Sequence, residues 1–218
     1  MIVANVDRSV VVTAALEPPF QREIVDRLLA LSESCGIPPL LVLNKVDLVG
    51  ERDLIRVEAA VYRGIGYTVL TTSSFTGEGT DELARFLATG VSTMVGPSGV
   101  GKSSLLNVLA PGYDLRTQPV SRRGGRGRQT TVGARLVQLA SGGWVADTPG
   151  FSNVALWGID RRRLSGSFPE FVEPAKSCRF SGCSHLHEPD CGVHAALEEG
   201  RIPRSRYESY QMLWEEIE

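Results

Sequence analysis

Along the first 150 residues, short apolar runs of strand length alternate with stretches whose apolar residues recur at helical spacing. Residues 10–14 form a β-branched run. Residues 21–35 place Ile24, Val25, Leu28, Leu29 and Leu31 on one helical face, with Cys35 read as a packing residue at its end. Residues 40–43 are continuously apolar and end in polar Asn44, the pattern of a parallel strand buried on both faces. Residues 51–62 and 80–87 read as helices, 67–71 and 91–95 as strands, and Lys102 opens a further helix to Leu109. Two more strands are expected at 135–139 and 144–146. This alternation predicts an α/β fold, a sheet with helices on both faces.

After Gly150 the pattern changes. Pro169, Pro174, Pro189 and Pro203 punctuate the chain, β-like runs cease and cysteines gather. A boundary near 155–160 is expected, giving one domain over 1–157 and a small, mainly helical one over 158–218. In the last helix Ser205 and Glu208 read as a capping box, followed by Tyr210, Leu213, Trp214 and Ile217 at helical spacing.

The composition sets bounds on this picture. With 218 residues, 42% hydrophobic and 22% charged, the chain can bury a core, which excludes wholesale disorder. No run of 18 apolar residues occurs, and the N-terminus lacks a basic stretch followed by an apolar one. Neither membrane association nor secretion is expected. The net charge is only −2, but its distribution is uneven. Residues 115–135 carry Arg116, Arg122, Arg123, Arg126, Arg128 and Arg135 and no acid, whereas residues 186–218 carry eight acids against three arginines. The arginine-rich run reads either as a solvated loop or as an arm that neutralises RNA phosphates. Of 23 basic residues only Lys45, Lys102 and Lys176 are lysines, and the first two fall inside motifs.

Gly96-Pro97-Ser98-Gly99-Val100-Gly101-Lys102-Ser103, followed by Ser104, fits the phosphate loop G-x-x-x-x-G-K-[ST] between a strand and a helix. Glycines let successive N–H groups turn toward phosphate oxygens, and the helix N-terminus adds a favourable dipole. Lys102 is expected at the β- and γ-phosphates and Ser103 on Mg²⁺. Asp147-Thr148-Pro149-Gly150 closes a later strand, where Asp147 suits Mg²⁺ and the Gly150 N–H suits the γ-phosphate. Between them, Thr131, with Thr130 as the alternative, can complete the Mg²⁺ shell.

Asn44-Lys45-Val46-Asp47 follows a buried strand. Asp47 can accept from the N1–H and the exocyclic amine of guanine, which adenine cannot match. Lys45 can lie over the ring, and Asn44 can tie this loop to the phosphate loop. Polar matching of this kind discriminates strongly between bases. Thr72-Ser73-Ser74 ends another strand, where a backbone N–H near Ser74 suits the guanine O6. Cys178, Cys183, His185 and Cys191 supply three sulfurs and an imidazole within 14 residues, a closed set suited to structural Zn²⁺. Few apolar residues flank them in sequence, which argues against a bare cysteine core. His187 and His194 are left over.

The base-reading motifs precede the phosphate loop, the reverse of the ordinary GTPase order. In this order, and in residues 4–7, 44–48, 96–104, 130–131, 147–151 and the cysteine cluster, the chain resembles the circularly permuted GTPases of the RsgA (YjeQ) family. The resemblance implies a circularly permuted P-loop GTPase domain followed by a zinc-binding domain, hydrolysing GTP during late assembly of the small ribosomal subunit. It implies GTP or GDP as ligand, Mg²⁺ and one structural Zn²⁺, and the small subunit with its rRNA as partner. The clustered cysteines point to a reducing compartment, so a cytoplasmic location is expected, and a monomer with it. It also implies an N-terminal OB-fold, for which this sequence has no room before residue 4. Where the family commonly has His before the switch I threonines, this chain has Gln129. Phe151 follows Gly150 where Ras-like enzymes place a water-orienting Gln. Slow intrinsic turnover, stimulated by the ribosome, is therefore expected, with Lys102, Gln129 and Gly150 as the catalytic candidates. A nucleotide-sensing scaffold with little hydrolysis, or a permuted GTPase acting on another ribosomal target, are the competing readings. The short tether from Gly150 to the C-terminal part suggests that loss of the γ-phosphate moves that part relative to the core.

Overall fold

The computed structural model describes residues 5–50, 53–113, 135–147 and 160–217. Six strands form one sheet in the order β3-β2-β1-β4-β6-β5. They are β1 (Arg8–Ala14), β2 (Pro39–Asn44), β3 (Thr68–Thr71), β4 (Val91–Val95), β5 (Arg135–Gln138) and β6 (Trp144–Asp147). All neighbours pair in parallel except β5, which runs antiparallel to β6 at the edge. Alternate residues of each strand point to opposite faces, so both faces need cover. Val10 and Val12 face α3 (Thr80–Phe86) and α4 (Lys102–Leu109), in a core with Leu83, Leu87, Leu105 and Leu106. Val11, Leu41 and Leu43 face α1 (Arg22–Ser34) and α2 (Asp53–Gly64), in a core with Val25, Leu29, Ala59 and Tyr62.

A third core forms from residue 160 onward. A 3₁₀ segment, Arg161–Ser167, leads into α5 (Pro169–Ala175), α6 (Gly192–Glu198) and α7 (Arg204–Glu216). Phe168, Phe171, Tyr207, Tyr210 and Leu213 are buried there together with Ala30 of α1. The outer side of α1 is thus part of this core, and Arg27 reaches Glu216 at 2.5 Å across the same junction. The expected boundary at 157/158 lies outside the described residues.

Two local expectations are corrected. The helix at 204–216 begins earlier than the Ser205–Glu208 pair implies, because the Pro203 carbonyl already accepts from the Arg206 and Tyr207 amides. Ser205 is therefore inside the first turn, and the N-cap is Pro203, which has no side-chain oxygen to offer. Cys35 caps the carboxyl end of α1 and is exposed, since the helical face it was assigned to ends one residue earlier.

Gly143 shows how tightly the β5–β6 hairpin is set against α3. A Cβ there would stand 1.9 Å from the Leu87 carbonyl oxygen and about as close as 3.0 Å to its carbon, both backbone atoms. Gly143→Ala is expected to destabilise the fold by about 1–3 kcal/mol in urea denaturation, as overpacking does. Gly64→Ala, at the open end of α2 with nothing within 4 Å, is expected to be neutral or slightly stabilising.

Candidate functional site

Three loops leave the carboxyl ends of β2, β3 and β4 and converge, as ligand loops do in open α/β sheets. Asn44, the last residue of β2, is fully buried and connects all three. Its Nδ2 donates to the Val100 carbonyl of the phosphate loop at 2.9 Å. Its Oδ1 accepts from Thr72 Oγ1 at 3.1 Å and from the Ser74 amide at 3.3 Å. The phosphate loop fits only as glycine at two points. A Cβ on Gly96 would meet the Val12 carbonyl oxygen at 2.0 Å, and one on Gly101, at φ +97°, would meet Asn44 Nδ2 at 2.3 Å. Gly101 is the N-cap of α4, so Lys102 and Ser103 open the helix. Lys102 Nζ donates to the carbonyls of Gly96 and Pro97, both at 2.7 Å, across the concavity of its own loop. Ser98 and Ser103 are exposed, and Pro97, Gly99 and Ser104 half-buried.

Beside this loop, Lys45 adopts the left-handed conformation at φ +62°, uncommon for a side-chain-bearing residue. Its Nζ donates to the Glu17 carbonyl in the segment between β1 and α1. Asp47 is exposed, and its Oδ1 accepts from Ser73 Oγ at 2.5 Å. Ser73 Oγ accepts in turn from the amides of Phe75 and Thr76, so its proton is directed at Asp47. The carboxylate, the lysine stem and the Ser74 amide form one polar rim next to the phosphate loop. The sequence shows no sign of the Glu17 carbonyl, because a backbone acceptor carries no residue signature.

Asp147 ends β6, the strand paired to β4, so its backbone lies next to the strand that feeds the phosphate loop. Gln129, Thr130, Thr131, Gly150 and Phe151 lie outside the described residues, as do the clustered arginines other than Arg135.

The second site is the cysteine cluster. The ligand atoms of Cys178, Cys183, His185 and Cys191 all lie within 4.8 Å of one another. Cys178 Sγ is 3.6 Å from His185 Nδ1 and 3.9 Å from Cys191 Sγ, and His185 Nδ1 is 3.4 Å from Cys191 Sγ. A tetrahedral zinc bound by sulfur and nitrogen separates its ligands by about 3.5–3.8 Å, so the four fit one ion. Burial raises the thiols of Cys183 and Cys191 and lowers His185. A dication bound there would favour the thiolate forms.

The apolar surroundings that the flanking sequence lacks come from elsewhere. Phe171 of α5 packs edge-on against His185 with centroids 6.1 Å apart, and Tyr210 of α7 lies at 6.4 Å. The His185 carbonyl accepts from Tyr207 Oη at 2.7 Å, and the His194 ring lies 2.8 Å from the same oxygen. His194 thus steadies a ligand without being one. Glu188 closes the ligand loop by accepting from the Ser184 amide and hydroxyl and the Leu186 and His187 amides. Burial alone would raise this carboxyl, but the Ser184 and His187 bonds outweigh it and hold it well below the usual carboxylate range. The cap is therefore present at neutral pH and lost only as pH falls through that depressed value. His187 is exposed, and Lys176 forms an exposed ion pair with Glu173.

Residues 1–157 match the family model described as RsgA GTPase. The chain belongs to the RsgA GTPase family. An RsgA of Moorella thermoacetica, named small ribosomal subunit biogenesis GTPase, is 49% identical over 216 residues, 99% of this chain and 73% of that protein. Its namesake from Bacillus anthracis is 46% identical over 217 residues, 99% of this chain and 74% of that protein. Among solved structures, YjeQ from Thermotoga maritima superposes with a TM-score of 0.85 at 41% identity, covering 99% of this chain and 72% of that one. YloQ, described as a circularly permuted GTPase, superposes with a TM-score of 0.79 at 36% identity, covering 99% and 69%. The α/β sheet and the permuted order of its loops are thus those of RsgA GTPases.

One zinc per chain is expected by elemental analysis, lost on Cys191→Ser and released increasingly as pH falls, because protons compete for the thiolates. Glu188→Ala is expected to weaken zinc affinity by about tenfold in a chelator competition, as loss of a supporting hydrogen-bond partner does.

Proposed function

We propose that this chain is a guanine-nucleotide switch that binds GTP, hydrolyses it to GDP and phosphate, and acts in late assembly of the small ribosomal subunit. The observation that supports the nucleotide reading is the Asn44 junction, which ties the Ser74 amide and the phosphate loop to the strand end that leads into Asp47. The subunit reading comes from relatives named for small ribosomal subunit biogenesis, at identities up to 49%. In bacteria that target places the chain in the cytoplasm.

In this reading Asp47 accepts from the N1–H and the exocyclic amine of guanine, a backbone N–H near Ser74 donates to O6, and Lys45 covers the ring. The loop from Gly96 to Ser104 wraps the phosphates. Lys102, now satisfied by two loop carbonyls at 2.7 Å, exchanges them for β- and γ-phosphate oxygens. Ser103, Asp147 and Thr131 are the residues that would hold Mg²⁺, which supplies charge neutralisation between the β- and γ-phosphates. Catalysis is then mostly positioning and electrostatic stabilisation, with Lys102, Gln129 and the Gly150 amide as its candidates. Phe151 cannot orient water, so turnover alone is slow and the subunit completes the site. Residues 1–157 form the GTPase domain and 158–218 the zinc domain, with Cys178, Cys183, His185 and Cys191 on one structural ion. The arginines of 116–128 are suited to rRNA phosphates.

Asp47→Asn is expected to lower GTP affinity by about 10²-fold, because a base-recognising site loses its matched acceptor. Equilibrium binding of GTP and ATP to both forms checks this, and an unmodified chain that prefers ATP would overturn the guanine assignment. GTP turnover should rise on adding purified small subunits and not large ones. Unchanged turnover with bound nucleotide would favour a scaffold.

A further inference from the structure

We propose that Arg206 is a positioning residue for guanine recognition, acting from the zinc-bearing segment through Asp26 and Tyr62 on the seat of Lys45. The inference rests on the guanine reading above.

Arg206 lies in a helix rich in polar residues, yet its side chain is fully buried. Burying a guanidinium is costly unless its charge and its donors are met. Here Nε donates to Glu170 Oε1 at 2.7 Å and Nη2 to Glu170 Oε2 at 3.4 Å, while Nη1 donates to Asp26 Oδ1 at 2.6 Å. The Phe168 ring lies 4.5 Å from the cation, and the rings of Tyr62 and Tyr67 lie at 5.8 Å. Burial would lower its pKa, but Asp26 and Glu170 more than compensate and keep it charged. Glu170 belongs to α5, on the same side of the junction as Arg206. Asp26 belongs to α1 and is itself fully buried.

From Asp26 the contacts lead to the base-reading rim. Asp26 Oδ1 also accepts from Tyr62 Oη at 2.7 Å, while its buried Oδ2 has no partner among the described residues. The Tyr62 ring meets Phe20 edge-on, with centroids 6.4 Å apart. Phe20 lies in the segment between β1 and α1, where the Glu17 carbonyl accepts from Lys45 and the Ala15 amide donates to the Asn44 carbonyl. Loss of Arg206 leaves a buried carboxylate with one hydroxyl for compensation. Helix α1 must shift to hydrate it, and the segment that seats Lys45 moves with α1.

The effect is one-sided. The segment seating Lys45 leads into α1 on the core shared with α2, whereas Val100 and α4 of the phosphate loop pack in the core on the opposite face of the sheet. Arg206 therefore affects the base more than the phosphates. A general folding defect would weaken both.

The test measures dissociation constants of the 218-residue chain for GDP and for pyrophosphate, which has phosphates but no base. Arg206→Met is expected to weaken GDP by about tenfold, within the usual range of coupling between sites, and to leave pyrophosphate nearly unchanged. Arg206→Lys, which keeps the charge but not the fork, is expected to fall between. Tyr62→Phe keeps the ring and removes only the hydroxyl, so it carries the test if Arg206→Met fails to fold. Its expected loss is about threefold for GDP alone, the size of one hydrogen bond. Equal losses for GDP and pyrophosphate, or unchanged GDP affinity in folded variants, would overturn the proposal. An unmodified chain that binds GDP no more tightly than pyrophosphate would refute the guanine reading, and this inference with it.

Discussion

Asn44 Nδ2 donates to one loop while its Oδ1 accepts from two positions in another, and the carboxamide itself is fully buried. A carboxamide is the side chain that can both donate and accept in this way from one planar group. An aspartate would face the Val100 carbonyl with an oxygen instead of a donor, and a leucine would leave three polar groups unpaired in a dry place. Strand β1 stands between β2 and β4, so the Asn44–Val100 bond links loops from strands that never pair directly. Without it the base-reading rim and the phosphate loop would be set only by the flexing of the sheet. Gly101 is part of the same constraint, since the carboxamide occupies the place of its missing side chain.

The C-terminal part obeys a different logic. Its described residues contain no strand, and its helices are short apart from α7. A segment this small has little area for a core of its own. It is completed from two directions: by an aromatic cluster stacked on the metal-ligand loop, and by the outer face of α1. Docking through a buried charge cluster makes sliding costly, because every displaced group loses its counter-charge. A rearrangement that keeps this cluster intact has to move α1 together with the C-terminal helices.

Sequence periodicity marked the elements whose character is local. Strand Val91–Val95 and helix Lys102–Leu109 have the expected bounds, and the other strands and helices of the sheet differ by a residue or two. The order of the loops, and with it the permuted GTPase architecture, was legible because each motif is contiguous. Less legible were contacts between distant segments. Arg206 looks like an ordinary solvated arginine until Asp26, 180 residues earlier, is brought against it. The cysteines seem poorly surrounded because their aromatic neighbours come from α5 and α7 rather than from adjacent positions. His194 looks spare because its role is exercised on a backbone carbonyl.

The central position of β1 has a consequence for the order in which the molecule is made. β1, β2 and β3 follow one another in the chain and lie side by side, each pair joined by a connection with one α-helix. That half of the sheet pairs strands that are near neighbours in the chain. β4 must then find the free edge of β1, some 80 positions earlier in sequence, and such long-range pairing is the slow kind. The phosphate loop hangs from that late strand. In ordinary chain order the phosphate loop would be among the first parts synthesised; here it comes after the base-reading half. Pairing of β4 with β1 therefore brings the phosphate loop beside the loop after β2 only once the chain extends past β4.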